Sequence, residues 1–327
     1  MNLFEKILSQ PELVESPPIL VDVGASGTIH KEWRPFARHS ICIAFDADTR
    51  EMGHTVKEQA GFRRLYVYNC VLTDKATPEV DFYLTRFPFC SSTLPPDKAA
   101  LGDWGFSEYF EVAQQLRLKA RTLPAILDEL KLGRVDWFKS DSQGMDLRLF
   151  QSLGDPMCRR VLAADFEPGI IDAYQGEDKL HALLATMSDQ PFFMSRMTVK
   201  GSQRINRARL ASRYGLTQVE CLTGLTRPSP GWAEVSYLNT LKGSVERRDL
   251  LLQIVFAAAQ AQFGFALELA MTGHGRFQDA LFHALRRRIV YRMVFNQLRQ
   301  GFFRTGLHLA KSAVIGLRYG RRAKQEH

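Results

Sequence analysis

The chain holds few cysteines, and Cys42, Cys70, Cys90, Cys158 and Cys221 lie far apart, odd in number and without a Cys-x-x-Cys pair. That spacing argues against a zinc site and against a disulfide-stapled secreted fold, and reads as buried free thiols. The histidines show no His-Glu-x-x-His or other ligand spacing, so no metal is expected. The N-terminus, Met1 to Leu8, lacks a basic segment leading into a long apolar run, so no signal peptide is read there and a cytoplasmic location is expected. An uninterrupted membrane span is missing too. The most apolar stretch, Leu250 to Gln260, is broken by Gln253 and Gln260 and followed by Gln262 and Glu268, whereas a spanning helix needs roughly 20 predominantly apolar residues. No internal repeat or low-complexity segment is found.

What is present suits a globular protein: 327 residues, 45% hydrophobic and 24% charged, enough for one large core or two modest ones. The net charge of +8 is unevenly spread. From Leu285 to His327 there are nine Arg and two Lys against the single acid Glu326, so the chain upstream is slightly acidic on balance. An acidic partner, if there is one, is expected for the tail and not for the whole protein.

The first two thirds read as alternating strands and helices after a lead-in over residues 1–18. Near-continuous apolar runs at Ile19–Val23, Ile41–Phe45, Leu65–Tyr68, Val135–Lys139 and Val161–Phe166 suit a parallel sheet covered on both faces. Between Gln115 and Leu123 apolar Leu116, Leu118 and Ala120 alternate with Arg117, Lys119 and Arg121, the pattern of a strand with one wet face. Thr122 then caps a short helix with Pro124 near its start. Thr226 to Gly231 is a loop by composition. The expected fold is α/β, a doubly wound, Rossmann-like, mostly parallel sheet with helices on both faces, over residues 19–243, followed by a basic helical extension over 244–327.

The informative cluster is Asp22-Val23-Gly24-Ala25-Ser26-Gly27, directly after the first buried strand. Glycines there let the backbone turn sharply against a ligand, and a following helix start offers free N–H groups. Asp46 lies 22 residues past Gly24 at the end of the second strand, the place for an acid that accepts hydrogen bonds from two ribose hydroxyls. Asn69 ends the third strand and joins the same set. Together these predict an adenosyl ligand. Nicotinamide cofactors stay open, but the full Gly-x-Gly-x-x-Gly is absent. Asp22 would repel a pyrophosphate and welcome the cationic amino group of S-adenosylmethionine.

The chain here resembles the FkbM-type methyltransferases. The resemblance rests on Val21–Gly27, Ala44-Phe45-Asp46-Ala47-Asp48, Cys90-Ser91-Ser92, and Asp136 to Asp146 with its Lys139-x-Asp141-x-Gln143-Gly144 core. Glu167, Tyr174-Gln175-Gly176 and Gly231-Trp232-Ala233-Glu234 complete it, over roughly residues 19 to 240. The chain departs from the family at Asp46-Ala47, where Glu-Pro is usual, at Asp146, where Glu is more common, and at Pro124, where Asp is usual. The resemblance implies methyl transfer from S-adenosylmethionine to a hydroxyl, with a sugar of a surface glycan or a lipid-linked intermediate as acceptor.

A hydroxyl acceptor needs a base as its oxygen attacks. Asp141, at the end of the fourth strand, is the first candidate, the alternatives being a helix cap or a ligand of the cofactor's amino group. Glu167, after the fifth strand, is the second, as base or acceptor-orienting residue. Lys139 shares a strand face with Asp141, and a salt bridge between them would keep Asp141 ionised and poorly basic. Gln143 is a possible contact for cofactor or acceptor. Ser91 and Ser92 lie in the irregular stretch Phe87 to Pro96, which reads as a lid or as an inert connection. In the tail, Ile289, Val290, Met293, Val294, Leu298, Phe302, Phe303, Leu307 and Leu309 recur at helical spacing among arginines. Such helices pack on the catalytic domain, lie on an anionic membrane surface or, least favoured, bind nucleic acid. Two other functions stay open: RNA methylation, with Arg204, Arg207 and Arg209 on phosphates, and a non-catalytic cofactor-binding scaffold.

Overall fold

The computed structural model describes residues 3–25, 29–48, 61–215, 218, 220, 221, 225–243 and 245–295. Among the described residues ten strands are found: β1 (Ile19–Val23), β2 (Ile41–Phe45), β3 (Arg64–Tyr68), β4 (Val71–Leu72), β5 (Glu79–Thr85), β6 (Val112–Arg121), β7 (Trp137–Ser140), β8 (Ala163–Phe166), β9 (Phe192–Ser202) and β10 (Ser229–Asn239). Seven of them make the main sheet, in the order β3-β2-β1-β7-β8-β10-β9. β1 pairs in parallel with β2 and β7, β2 with β3, and β7 with β8, while β10 runs antiparallel to both β8 and β9. This is the expected doubly wound, Rossmann-like α/β sheet. Its winding reverses between β1 and β7, and ligands of such sheets bind beyond the carboxyl ends of the strands at that reversal.

Alternation along β1 and β7 divides the core in two. Ile19, Val21, Val23 and Phe138 point to one face, where they pack with Phe150, Phe166 and the buried residues of helices Leu123–Glu129, Asp146–Gln151 and Leu180–Ser188. The other face carries Trp137, fully buried, with its ring 4.7 Å from Phe256, 6.0 Å from Trp33 and 6.1 Å from Phe36. Aromatic pairs of this kind add about 0.5–1.5 kcal/mol each beyond the area they bury. The Trp137 indole N–H donates to Asp165 Oδ2 at 2.5 Å.

The short helices Leu3–Leu8 and Pro11–Glu15 form the lead-in. Helix Arg247–Ala259 is buried from Leu250 to Ala258. Its Gln253 is the polar residue that breaks the apolar run, and its amide donates to the carbonyls of Leu162 and Asn239 at 3.0 and 2.7 Å. At the start of the same helix, Arg248 makes a two-pronged bond to Asp136, 2.8 Å on each side, and both side chains are buried. Asp136 also accepts from the Ile19 amide at 2.8 Å, and Arg248 donates to the carbonyls of Ser16 and Pro17. These ties correct the expected boundary near residue 243: the first compact unit ends at Gln260 and the second begins at Ala261.

The alternating segment forms β6 as predicted, but in a separate three-stranded sheet of order β4-β6-β5. Thr122 occupies the N-cap position of helix Leu123–Glu129, though its hydroxyl makes no capping bond. The expected loop Thr226–Gly231 is shorter than predicted, because Ser229, Pro230 and Gly231 belong to β10 and pair with β9 through a bulge. In the second unit, helix Phe263–Phe277 is followed by a helical stretch over 280–295, with Phe277 stacked on Phe282 at 5.8 Å. Among the described residues no helix is long and apolar enough to cross a membrane.

Candidate active site

A crevice of about 660 Å³ opens at the carboxyl ends of β1, β2 and β7, lined among others by Gly24, Asp46, Asp48, Ser91, Thr93 and Asp141. Its floor depends on Gly24. The amides of Gly24 and Ala25 both donate to the Phe45 carbonyl at 3.0 Å, and the Asp141 amide donates to the Val23 carbonyl at 3.0 Å, so three strand ends meet at this point. Gly24 has φ 73°, and a Cβ there would collide with the Asp141 carbonyl oxygen. Gly24→Ala is therefore expected to destabilise the protein by about 1–3 kcal/mol for the left-handed backbone alone, with more for the clash. Thermal unfolding of that variant at the wild-type temperature would contradict this account.

Asp46 follows β2 and faces the crevice, as its spacing predicts. Its Oδ1 accepts from the Asp48 amide at 2.9 Å, and its carbonyl accepts from the Asn69 side-chain amide at 3.0 Å. Asn69 itself lines a separate shallow cleft, so it braces Asp46 from behind rather than facing the crevice. Thr93 was not singled out by sequence. Its hydroxyl is buried at the crevice without a hydrogen-bond partner, and the only sequence signal is its place in the irregular Phe87–Pro96 stretch. Ser26 and Gly27 lie outside the described residues.

Asp22 does not face the crevice, contrary to expectation. It points to the opposite side of β1 from Val21 and Val23, fully buried, with Lys139 Nζ 2.9 Å from Oδ1 and the His30 amide donating to Oδ2 at 2.9 Å. Register explains the pairing, since Asp22 and Lys139 are cross-strand partners on adjacent parallel strands. Lys139 also donates to the carbonyls of Val23 and Gly24 at 3.3 and 3.2 Å. Burial works against its charge, but Asp22, and more weakly Asp141, hold its pKa above the ordinary lysine value. Lys139, expected in the acceptor or lid set, thus pairs with Asp22 beneath the floor instead of with Asp141, and it lines neither cavity.

A second cavity of about 1,260 Å³ adjoins the first and shares Asp141, Gln143 and Phe89 with it. Phe106, Tyr109, Phe110, Tyr174 and Trp232 give part of its wall an aromatic surface, and Glu167, Glu177 and Arg207 join Asp141 in its lining. Gln143 stands at the junction with φ 57°, a conformation uncommon for a residue with a side chain. Three contacts impose it. Its amide donates to Asp141 Oδ1 at 2.5 Å, the Tyr174 hydroxyl lies 3.0 Å from its Oε1 and 2.8 Å from the Cys90 carbonyl, and Ser92 Oγ donates to its backbone carbonyl at 2.7 Å. Ser92 is therefore a buried tether between the lid-like segment and Gln143, while Ser91 lines the crevice.

Asp146, buried at the start of its helix, binds the two acid-bearing loops together. Its Oδ1 accepts from Ser140 Oγ, Ser142 N and Ser142 Oγ at 2.7, 2.8 and 2.5 Å, and its Oδ2 accepts from the Glu167 amide at 2.8 Å. Glu167 is pushed up from 4.5 to about 9 by burial and by the charge and hydrogen bond of Asp141. Glu167 thus holds its proton more tightly than an ordinary carboxyl does, because ionising it would place a second negative charge beside Asp141. The Cys90 thiol beside them is pushed up to about 12 by burial and by both acids, which favours its protonated form. Among the described residues no cluster of His, Cys, Asp and Glu could hold a metal ion.

A scan against protein-family models finds none that matches this chain, and a search of curated proteins finds no relative.

Proposed function

We propose that the chain transfers a methyl group from S-adenosylmethionine, held in the crevice, to a hydroxyl of an acceptor held in the aromatic cavity. The observation that carries this reading is that two cavities, one at the switch point of the sheet, meet at Asp141 and Gln143. A group transfer requires two sites whose reacting ends face each other across a short gap. A sugar of a surface glycan or lipid-linked intermediate is the acceptor class that the resemblance to the FkbM-type methyltransferases implies, and a cytoplasmic site of action belongs to the same proposal.

The residues present fit such a cofactor. Asp46 stands where ribose hydroxyls would be received, the Gly24 turn lets the backbone approach, and Thr93 offers an unsatisfied hydroxyl. The described residues lining the crevice include no Lys, Arg or His to grip a pyrophosphate. When bound, the cofactor supplies an already activated methyl group on a sulfonium, which leaves alignment, water exclusion and proton removal to the protein. Asp141 takes the acceptor's hydroxyl proton. Gln143 fixes the Asp141 carboxylate, and Glu167, keeping its own proton, orients the acceptor and helps hold Asp141 in place.

Isothermal titration with S-adenosylhomocysteine tests the reading. Wild-type protein is expected to bind at micromolar levels, and Asp46→Ala to bind about 10- to 100-fold more weakly through loss of hydrogen bonds to a charged group. A folded wild-type protein that does not bind would sink the methyltransferase reading.

A further inference from the structure

One stretch of the chain takes no part in either cavity. In the helical residues 280–295 the buried side chains, Leu281, Phe282, Leu285 and Ile289, all precede residue 290. Beyond them Val290, Tyr291, Met293, Val294 and Phe295 are exposed, Tyr291 to 74% and Phe295 to 54%. Scattered exposed apolar side chains are ordinary on a protein surface, but here five fall within six residues, and Val290 with Val294 and Tyr291 with Phe295, four apart, are neighbours on the helix, a density that marks an interaction site. Arg286, Arg287 and Arg288 occupy the turn just before the run and Arg292 lies within it, and no Asp or Glu occurs between 280 and 295.

We infer that this helix end seats the protein on the surface of an anionic lipid bilayer. The occupant follows from the pairing of arginine with aliphatic and aromatic side chains. A second copy of the same surface would set arginine against arginine. A nucleic acid would use the arginines but leave Val290, Met293 and Val294 facing water. An anionic bilayer satisfies both sets, with guanidinium groups at the lipid phosphates and apolar side chains at the acyl boundary, where tyrosine is also favoured. The association lies along the surface, because no described helix is long and apolar enough to cross. This inference does not depend on the methyl-transfer proposal.

Vesicle flotation of the full chain tests it, with phosphatidylcholine vesicles prepared with and without phosphatidylglycerol. The protein is expected to float with the anionic vesicles, to leave the neutral ones unbound, and to be released by high salt. Arg286→Gln, Arg287→Gln and Arg288→Gln together should weaken binding by about 100-fold, from roughly fivefold per arginine. Val290→Ser, Val294→Ser and Phe295→Ser together, at exposed positions that leave the buried face untouched, should weaken it by at least about tenfold. Circular dichroism establishes that each variant is folded. Failure of the wild-type protein to float with anionic vesicles would overturn the inference. So would unchanged vesicle binding by the folded serine variant, or tighter binding to duplex RNA than to the anionic vesicles.

Discussion

Arg248→Ala is expected to lower the unfolding free energy by about 3–5 kcal/mol, the loss typical when one partner of a buried ion pair is removed and the other is left uncompensated. The wild-type contact is a two-pronged one at 2.8 Å on each side, between side chains that are 6% and 3% exposed. Removing Arg248 would leave the Asp136 carboxylate with only the Ile19 amide, and would free the carbonyls of Ser16 and Pro17 from their partner. Asp136→Ala should do comparable damage from the other side. Replacing both at once, Asp136→Leu with Arg248→Met, should recover part of the loss, because no buried charge is then left unpaired, although the Ile19 amide and the carbonyls of Ser16 and Pro17 still lose their partners. Urea denaturation followed by circular dichroism measures all three. A loss below about 1 kcal/mol in either single alanine variant would mean that helix Arg247–Ala259 is held by its apolar side chains and Gln253, with little from the ion pair.

Glu167→Gln is expected to behave in the opposite way and to stabilise the protein at alkaline pH. Glu167 is held at about 9 against an ordinary 4.5. Between those values the folded protein keeps a proton that the unfolded chain has released, so stability falls as pH rises through the window and levels off above it. Glutamine cannot ionise and still offers Asp141 a hydrogen bond, so the variant escapes this loss. The gain at pH 8 should be about 1–3 kcal/mol, well below the full shift at 1.36 kcal/mol per pH unit because the carboxyl is partly solvated, and it should vanish near pH 4. Melting curves of both proteins across that range provide the test, and a variant less stable than wild type at pH 8 would contradict it.

Much of this arrangement was legible in the sequence, for a physical reason. Strands buried on both faces are written as continuous apolar runs, so β1, β2, β7 and β8 could be read directly, and Gly24 and Asp46 follow from where those runs end. Partners brought together by tertiary structure were not legible. Asp22 next to a glycine turn reads as a ligand for a cation, and its cation proves to be Lys139, supplied by an adjacent strand far along the chain. The boundary near 243 failed in the same way, since nothing near Arg248 announces that its partner is Asp136. The composition of Ser229 to Gly231 suggested a loop, but pairing with β9 overrode it. The aromatic cavity was missed because its walls come from several separate segments, none distinctive alone.

The spacing of these contacts also governs the order in which the protein can be assembled. Lys139 and Val23, whose contact closes the crevice floor, are 116 positions apart, and Arg248 and Asp136 are 112 apart. The β9–β10 pairing, by contrast, joins neighbouring segments of the chain. Loop closure must precede the reward of a distant contact, so the local hairpin forms readily while the crevice floor waits for remote segments to find each other. The crevice floor is therefore expected among the last features a refolding chain acquires, and protection of the Asp141 amide from hydrogen exchange can serve as a clock for completion of the native sheet.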